Sequence, residues 1–373
     1  MRTLPLNPTD NQTPEALRAF FGECADAART TGRPQLVSIS VAVESLDPLA
    51  VLESIFEPTQ LHFYAERPTQ GFAVAGAEAV LEFSASGPQR FAKAKAFIEQ
   101  TLANTIAVGP VDEAFAGPHF FVAGGFSHES AADAPFPPLR LFVPRWQVSR
   151  MGDGSVAVAN LLITPELPLD LVTAKVWKAH AKFRSFDYSA AREKARPSAP
   201  KQIAEVGAVG SYQRAVAQAL QEIAAGGYQK VVLARAQRLT TAEEFHPLGV
   251  LNHLRQRYAS CYAFSVANGR GQSFIGASPE RLVRVAGGRM HTDALAGTAR
   301  RGESASEDAT IARTLLHDDK ELREHRLVLE SIAQRVAGLG LKLEHAALPR
   351  VLGLANVQHL HTPVSATLPA GVH

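Results

Sequence analysis

Val37-Ser38-Ile39-Ser40-Val41-Ala42-Val43-Glu44 places Val37, Ile39, Val41 and Val43 on one side of an extended chain and Ser38, Ser40 and Glu44 on the other. Side chains alternate with period two along a strand, so this stretch predicts a half-buried β-strand. Working outward, Leu61-His62-Phe63-Tyr64 reads as a second strand. Residues 71–76 and 79–83 read as two more, broken by glycine, and residues 120–126, 139–143 and 155–162 extend the series. Helices are fewer. Thr13-Pro14-Glu15 supplies a hydroxyl cap, a proline at the first helical position and an acid in the first turn, which opens a helix. Residues 89–102 predict another. Strand and helix do not alternate regularly, so a doubly wound parallel sheet fits poorly; the pattern predicts an α+β fold with large antiparallel sheets.

The polar stretch Arg196-Pro197-Ser198-Ala199-Pro200-Lys201 predicts a junction. It divides the chain into an N-terminal α+β half over 1–205 and a second region over 206–373. In the second region Ser211 opens a helix whose Tyr212, Val216, Leu220 and Ile223 follow helical spacing, and Gly226-Gly227 ends it. Lys230-Val231-Val232-Leu233-Ala234-Arg235 reads as a strand and residues 247–258 as a helix. Residues 262–266 and 273–277 read as strands around the glycine turn 268–271. Residues 278–285 lead into another strand, and 306–337 read as one long helical region.

Composition excludes several classes of function. Lys and Arg number 38 against 36 Asp and Glu, for a net charge of +2 with no basic block, so no nucleic-acid partner is expected. Cys24 and Cys261 have neither CxxC nor zinc spacing, which suits a reducing cytoplasm rather than a disulfide framework. The first residues lack the apolar run of a signal peptide, and no apolar run is long enough to span a bilayer, so no membrane partner is expected.

Four features could carry chemistry. Lys230 opens an apolar run; lysines at strand ends usually face solvent, but one that is desolvated becomes a neutral amine able to act as a base. Glu280 follows Ala277-Ser278-Pro279. It reads as a loop acid or, in apolar surroundings, as a carboxylic acid kept protonated. Leu295-Ala296-Gly297-Thr298-Ala299-Arg300 is a glycine turn after a strand, where a ligand can approach the backbone and exposed N–H groups can hold a carboxylate. Lys320-Glu321-Leu322-Arg323-Glu324-His325 lies in the long helical region. Glu324 reads there as one half of an exposed Lys–Glu pair or as a magnesium ligand.

Together with Gly276-Ala277-Ser278-Pro279-Glu280 and Gln358-His359-Leu360-His361-Thr362-Pro363-Val364, these segments resemble the chorismate-binding family in content and order. Phe63-Tyr64-Ala65-Glu66-Arg67-Pro68, with Gly71 and Ala75-Gly76, resembles the upstream pattern of the family's isochorismate synthases. The resemblance implies large antiparallel sheets packed as a β-sandwich-like core with helices outside, as in anthranilate and aminodeoxychorismate synthases. It also implies a magnesium-dependent isomerisation of chorismate. Lys230 would be the base that activates water, Glu280 the acid that protonates the departing hydroxyl and Glu324 the magnesium ligand. Ala296, Gly297 and Thr298 would line the substrate pocket. Anthranilate synthases usually lack a lysine at the first position, and aminodeoxychorismate synthases carry one just before the Gly-Thr, where this chain has Ala296.

Implied pathways are menaquinone or siderophore synthesis. A salicylate synthase is an alternative, and a chorismate-binding protein without turnover is another. After Val364 the family pattern continues with an arginine strand and a glycine-rich stretch bearing a second magnesium glutamate, whereas this chain ends at His373. The resemblance therefore implies a truncated site, missing last strands, weak magnesium affinity, poor activity and a tendency to aggregate.

Overall fold

The computed structural model describes residues 2–3, 13–184 and 199–371. In chain order the elements begin with β1 (Arg2–Thr3), α1 (Pro14–Thr31), β2 (Gln35–Val43), α2 (Pro48–Ser54), β3 (His62–Arg67), β4 (Phe72–Ala85) and α3 (Arg90–Ala103). They continue with β5 (Thr105–Val108), β6 (Phe121–Gly124), β7 (Leu139–Met151), β8 (Gly154–Ile163), α4 (Leu169–Arg184), β9 (Gln202–Glu205), α5 (Ser211–Ala224) and β10 (Gln237–Thr240). Next come α6 (Pro247–Arg257), β11 (Tyr262–Ala267), β12 (Ser273–Ser278), β13 (Arg284–Ala286) and β14 (Arg289–Arg300). The last are α7 (Ala305–Leu315), α8 (Asp319–Ala337), β15 (Glu344–His345), β16 (Arg350–Gly353) and β17 (Val357–Thr367). The fold is α+β with large, mainly antiparallel sheets, as the strand pattern predicts.

The chain forms two compact units. The first takes residues 1–194 and 247–277, and the second takes residues 195–246 and 278–373. A single cut at 205 does not reproduce these units, because the segment 247–277 returns to the first. There β11 pairs antiparallel with β3, with Ala263 opposite Glu66. Leu248 and Leu251 of α6 pack with Leu49, Leu52 and Tyr64. The proline-bearing residues 196–198 lie outside the described residues.

Unit 1 is built on a ten-stranded sheet in the order β1-β5-β2-β8-β7-β4-β3-β11-β12, with β6 added on β7. Strand β2 is central. Its Val37, Ile39 and Val41 meet Phe20, Phe21, Cys24 and Ala25 of α1. That helix starts where Thr13 Oγ1 accepts the Ala16 N–H and stops at Gly32 in the left-handed region. Burying a side chain such as Phe21 contributes roughly 2–3 kcal/mol.

The opposite face of β2 was expected in solvent but is buried as well. Ser38 and Ser40 are fully covered, and Ser40 Oγ accepts the Gly117 N–H at 2.8 Å. Gly109 lies so close that a Cβ there would meet the Ser40 carbonyl oxygen at 2.0 Å. Small polar side chains thus mark where a loop lies against the sheet.

A polar cluster around the buried Tyr64 and Glu66 fixes the returning segment in unit 1. Arg255 of α6 forms a fork on Asp47 (2.9 and 2.6 Å) and also reaches Glu66 Oε2 at 3.2 Å. Glu66 accepts from Tyr64 Oη at 2.6 Å and from Arg150 at 2.9 Å.

Unit 2 carries a five-stranded sheet in the order β13-β14-β17-β15, with β16 also on β17, and a β9–β10 pair. Met290, Val336 and Ala366 form its small core where α8 meets the sheet. The long helical region is two helices. Asp318 accepts the Glu321 N–H at 3.0 Å and restarts the chain as α8. Residues 230–235, expected as a strand, form none in the structure. Val232 is 82% exposed, so this apolar run has no sheet face to bury against. Among the described residues no helix is long and apolar enough to cross a membrane.

Candidate active site

The site is built around a break in the β14–β17 ladder. The register runs from Arg289 opposite Thr367 to Leu295 opposite His361, then shifts before Thr298 opposite His359. Gly297 sits in this irregularity at φ 83°. A Cβ there would meet Leu360 Cδ1 at 3.0 Å and Cγ at 3.2 Å, so the position demands glycine both by conformation and by space. The shift turns Thr298 outward, where it is exposed.

Helix α8 holds the turn from behind. His325 is buried; its Nδ1 lies 3.2 Å from the Ala296 carbonyl oxygen and its Nε2 lies 2.8 Å from Thr362 Oγ1. A carbonyl can only accept, so Nδ1 carries the proton and the Thr362 hydroxyl donates to Nε2. Burial holds this imidazole below the usual histidine range, against the Ala296 bond; the charges of His361 and Lys230 push the same way as burial. One helical turn earlier, Glu321 Oε2 accepts the Thr298 N–H at 3.0 Å. Thr298 Oγ1 meets His359 Nδ1 at 2.9 Å. Burial also lowers His359, while a backbone bond to Gly297 and the charge of Glu280 pull it up.

Unit 2 contains every residue that the sequence marks for the site. Lys230 Nζ lies 3.4 Å from Glu324 Oε2, with the two side chains 25% and 37% exposed. Lys230 is presented by the loop between α5 and β10 rather than by a strand, and its neighbour is a carboxylate rather than an apolar wall. Ala296, Gly297 and Thr298 form the bulged turn. Glu280 stands in the loop after β12, near enough to His359 to act on it electrostatically. It is exposed, so the described residues do not supply the apolar surroundings expected for it. Lys230 meets Glu324 of α8, Glu321 of the same helix meets Thr298, and Thr298 meets His359, whose imidazole feels the charge of Glu280.

Reading the residues alone missed Glu321, His325 and His359. A signal existed for one of them, His359. Histidines at 359 and 361 alternate with Gln358, Leu360 and Thr362, so one face of β17 carries imidazoles while the other meets α8.

The carboxylates bear on whether magnesium fits. Among the described residues no group of three or more His, Cys, Asp or Glu side chains gathers as a metal cage. Unit 2 offers Glu324, part exposed beside the turn, with Glu321 three residues earlier on the same helical face. Magnesium keeps several waters and takes one or two carboxylates together with ligand oxygens, so this donor set fits that ion. A separate cavity of about 410 Å³ in unit 1, lined by Phe63, Phe121, Phe126, Phe142 and Phe274, contains none of these groups.

Residues 21–373 match the family described as chorismate binding enzyme. The chain is 32% identical over 362 residues to the salicylate biosynthesis isochorismate synthase of Pseudomonas aeruginosa, covering 96% of this chain and 74% of that protein. It is 27% identical to the isochorismate synthase MenF of Bacillus subtilis, over 91% of this chain and 73% of that one. In fold it is similar to the menaquinone-specific isochorismate synthase MenF of Escherichia coli, with a TM-score of 0.69 and 23% identity over 94% of this chain and 76% of that structure. With the match running from α1 to the last residue, and with the Gly297 turn, α8 and β17 gathered in one unit, the chain belongs to the chorismate-binding enzyme family.

Proposed function

We propose that the protein is an isochorismate synthase. It would add water at C2 of chorismate and release the C4 hydroxyl as water, with the ring double bonds shifting between them. The observation that carries this reading is the gathering, in unit 2, of five segments far apart in sequence. Lys230 meets Glu324, the Ala296–Thr298 turn lies against α8, and Glu280 is near enough to His359 to act on it electrostatically.

Lys230 is the general base, taking the proton of the attacking water as the C2–O bond forms. To do so its amine must leave the Glu324 carboxylate, which it meets before substrate binds. Glu280 is the general acid; it gives a proton to the C4 oxygen as that bond breaks and is restored from solvent. Ala296, Gly297 and Thr298 line the substrate. The Thr298 N–H is an oriented donor suited to a substrate carboxylate, and Glu321 holds it until the ligand arrives. Glu324 would hold magnesium, which when bound supplies positive charge beside a substrate carboxylate. The product would serve menaquinone or siderophore synthesis.

The test is chromatographic. Chorismate and MgCl2 are incubated with wild type, Lys230→Ala and Glu280→Gln, and the products are separated. Isochorismate from wild type and a loss of roughly 10²–10⁴-fold in each variant is expected, the range for an acid or base. Turnover that survives both substitutions would sink the reading, and salicylate as the product would replace it with a synthase of that compound.

A further inference from the structure

The loop that presents Glu280 has little packing to hold it. Leu282 is 77% exposed and Val283 49%. The Ser278 Oγ contacts with Glu280 backbone atoms are long, at 3.3 and 3.4 Å. Two polar ties to β14 remain. Thr292 Oγ1 donates to the Leu282 carbonyl at 2.8 Å, and Arg281 Nη2 donates to Asp293 Oδ2 at 3.1 Å. Asp293 is itself held from the next strand, where its Oδ1 meets His361 Nε2 at 2.8 Å. The ionised carboxylate can only accept, so His361 donates from Nε2.

This relay is built at a cost. Arg281 Nε and His361 Nδ1 are buried with no hydrogen-bond partner among the described residues. The His361 side chain is 9% exposed, and Asp293 and Arg281 are 20% and 23%. Half-satisfied buried polar groups stabilise a fold less well than apolar side chains of the same volume would. Stability alone does not account for the arrangement, but a fixed geometry at Arg281, the residue bonded to Glu280, does. We propose that Asp293, locked in place by His361, is a positioning residue that sets the Glu280 loop through Arg281. The inference rests on the proposed role of Glu280.

The test uses the full chain and two kinds of readout. Amide hydrogen exchange is compared for wild type, Asp293→Ala, His361→Leu and His361→Gln, and steady-state kinetics with chorismate are measured on the same proteins. Gln can donate from its amide as His361 does, whereas Leu fills the space without a donor. Asp293→Ala and His361→Leu are expected to speed exchange over residues 279–284 while α8 stays protected. Both should lower kcat roughly 10- to 100-fold, the effect of misplacing a reacting group by about an ångström, with KM nearly unchanged. His361→Gln should behave as wild type. A packing role predicts the reverse order, with Leu tolerated and Gln not, and would overturn the proposal. So would unchanged exchange in 279–284, or a loosened loop with kcat intact. If wild type fails to convert chorismate, the functional reading falls, and the exchange arms still decide whether Asp293 and His361 hold the loop.

Discussion

Replacing Lys230 should strengthen magnesium binding even as it lowers turnover by orders of magnitude. The ammonium lies 3.4 Å from Glu324 Oε2 and competes with a cation for that carboxylate. Two unit charges at that separation attract by roughly 1 kcal/mol in water and about 5 kcal/mol at an effective dielectric of 20. With the side chains 25% and 37% exposed, solvent screening places this pair near the lower figure. Lys230→Ala removes the competitor, so the Kd for Mg2+ should fall by roughly fivefold, the equivalent of about 1 kcal/mol. Lys230→Arg keeps a cation and should stay near wild type, and Glu324→Gln should abolish binding. Calorimetric titration with MgCl2, with and without chorismate, measures all four proteins. If Lys230→Ala binds magnesium as weakly as wild type, or more weakly, the competition between ammonium and metal at Glu324 is refuted.

Other parts of the structure make equally definite predictions. Gly297→Ala must place a Cβ against Leu360 at φ 83°, which should cost about 1–3 kcal/mol in urea unfolding; a change under about 0.5 kcal/mol would contradict the strained turn. Arg255→Met leaves Glu66, 2% exposed, without one of its cationic partners and should destabilise the protein by roughly 3–5 kcal/mol; a loss below about 1 kcal/mol would show that Arg150 and Tyr64 suffice. Burial pushes the Asp47 carboxyl up, but the hydrogen bond and charge of Arg255 outweigh it and hold the group below its ordinary 3.8. A carboxyl lowered by folding stabilises above its unfolded value and loses that contribution as pH falls through the folded one. Stability should therefore drop as the medium is acidified below about pH 4, and Asp47→Asn should flatten that part of the urea-midpoint profile.

The fold class was legible because alternation is local. Residues 37–44 read as a strand from their own side chains, and β2 is that strand. What covers a strand is not local, so Ser38 and Ser40 read as solvent-facing although a loop lies over Ser40. Gly76 suggested a break within residues 71–83, yet β4 is continuous. The missing side chain makes room for Phe121, whose ring a Cβ there would meet at 2.4 Å. Lys230-Val231-Val232-Leu233 satisfied every local criterion for a strand and found no partner. At the site, residue types at the family's spacing pointed to Lys230, the Gly297 turn, Glu280 and Glu324. The Arg281–Asp293–His361 relay escaped because its members are 12 and 68 residues apart and meet only through the pairing of β14 with β17.

The most direct measurement follows the oxygen. Chorismate is converted by the wild-type chain in H2 18O with MgCl2, and the isochorismate is analysed by mass spectrometry. Attack of water activated by Lys230 predicts one 18O in the product, located at the C2 hydroxyl. Isochorismate that retains only its original oxygen, or a chain that leaves chorismate untouched, would contradict the account.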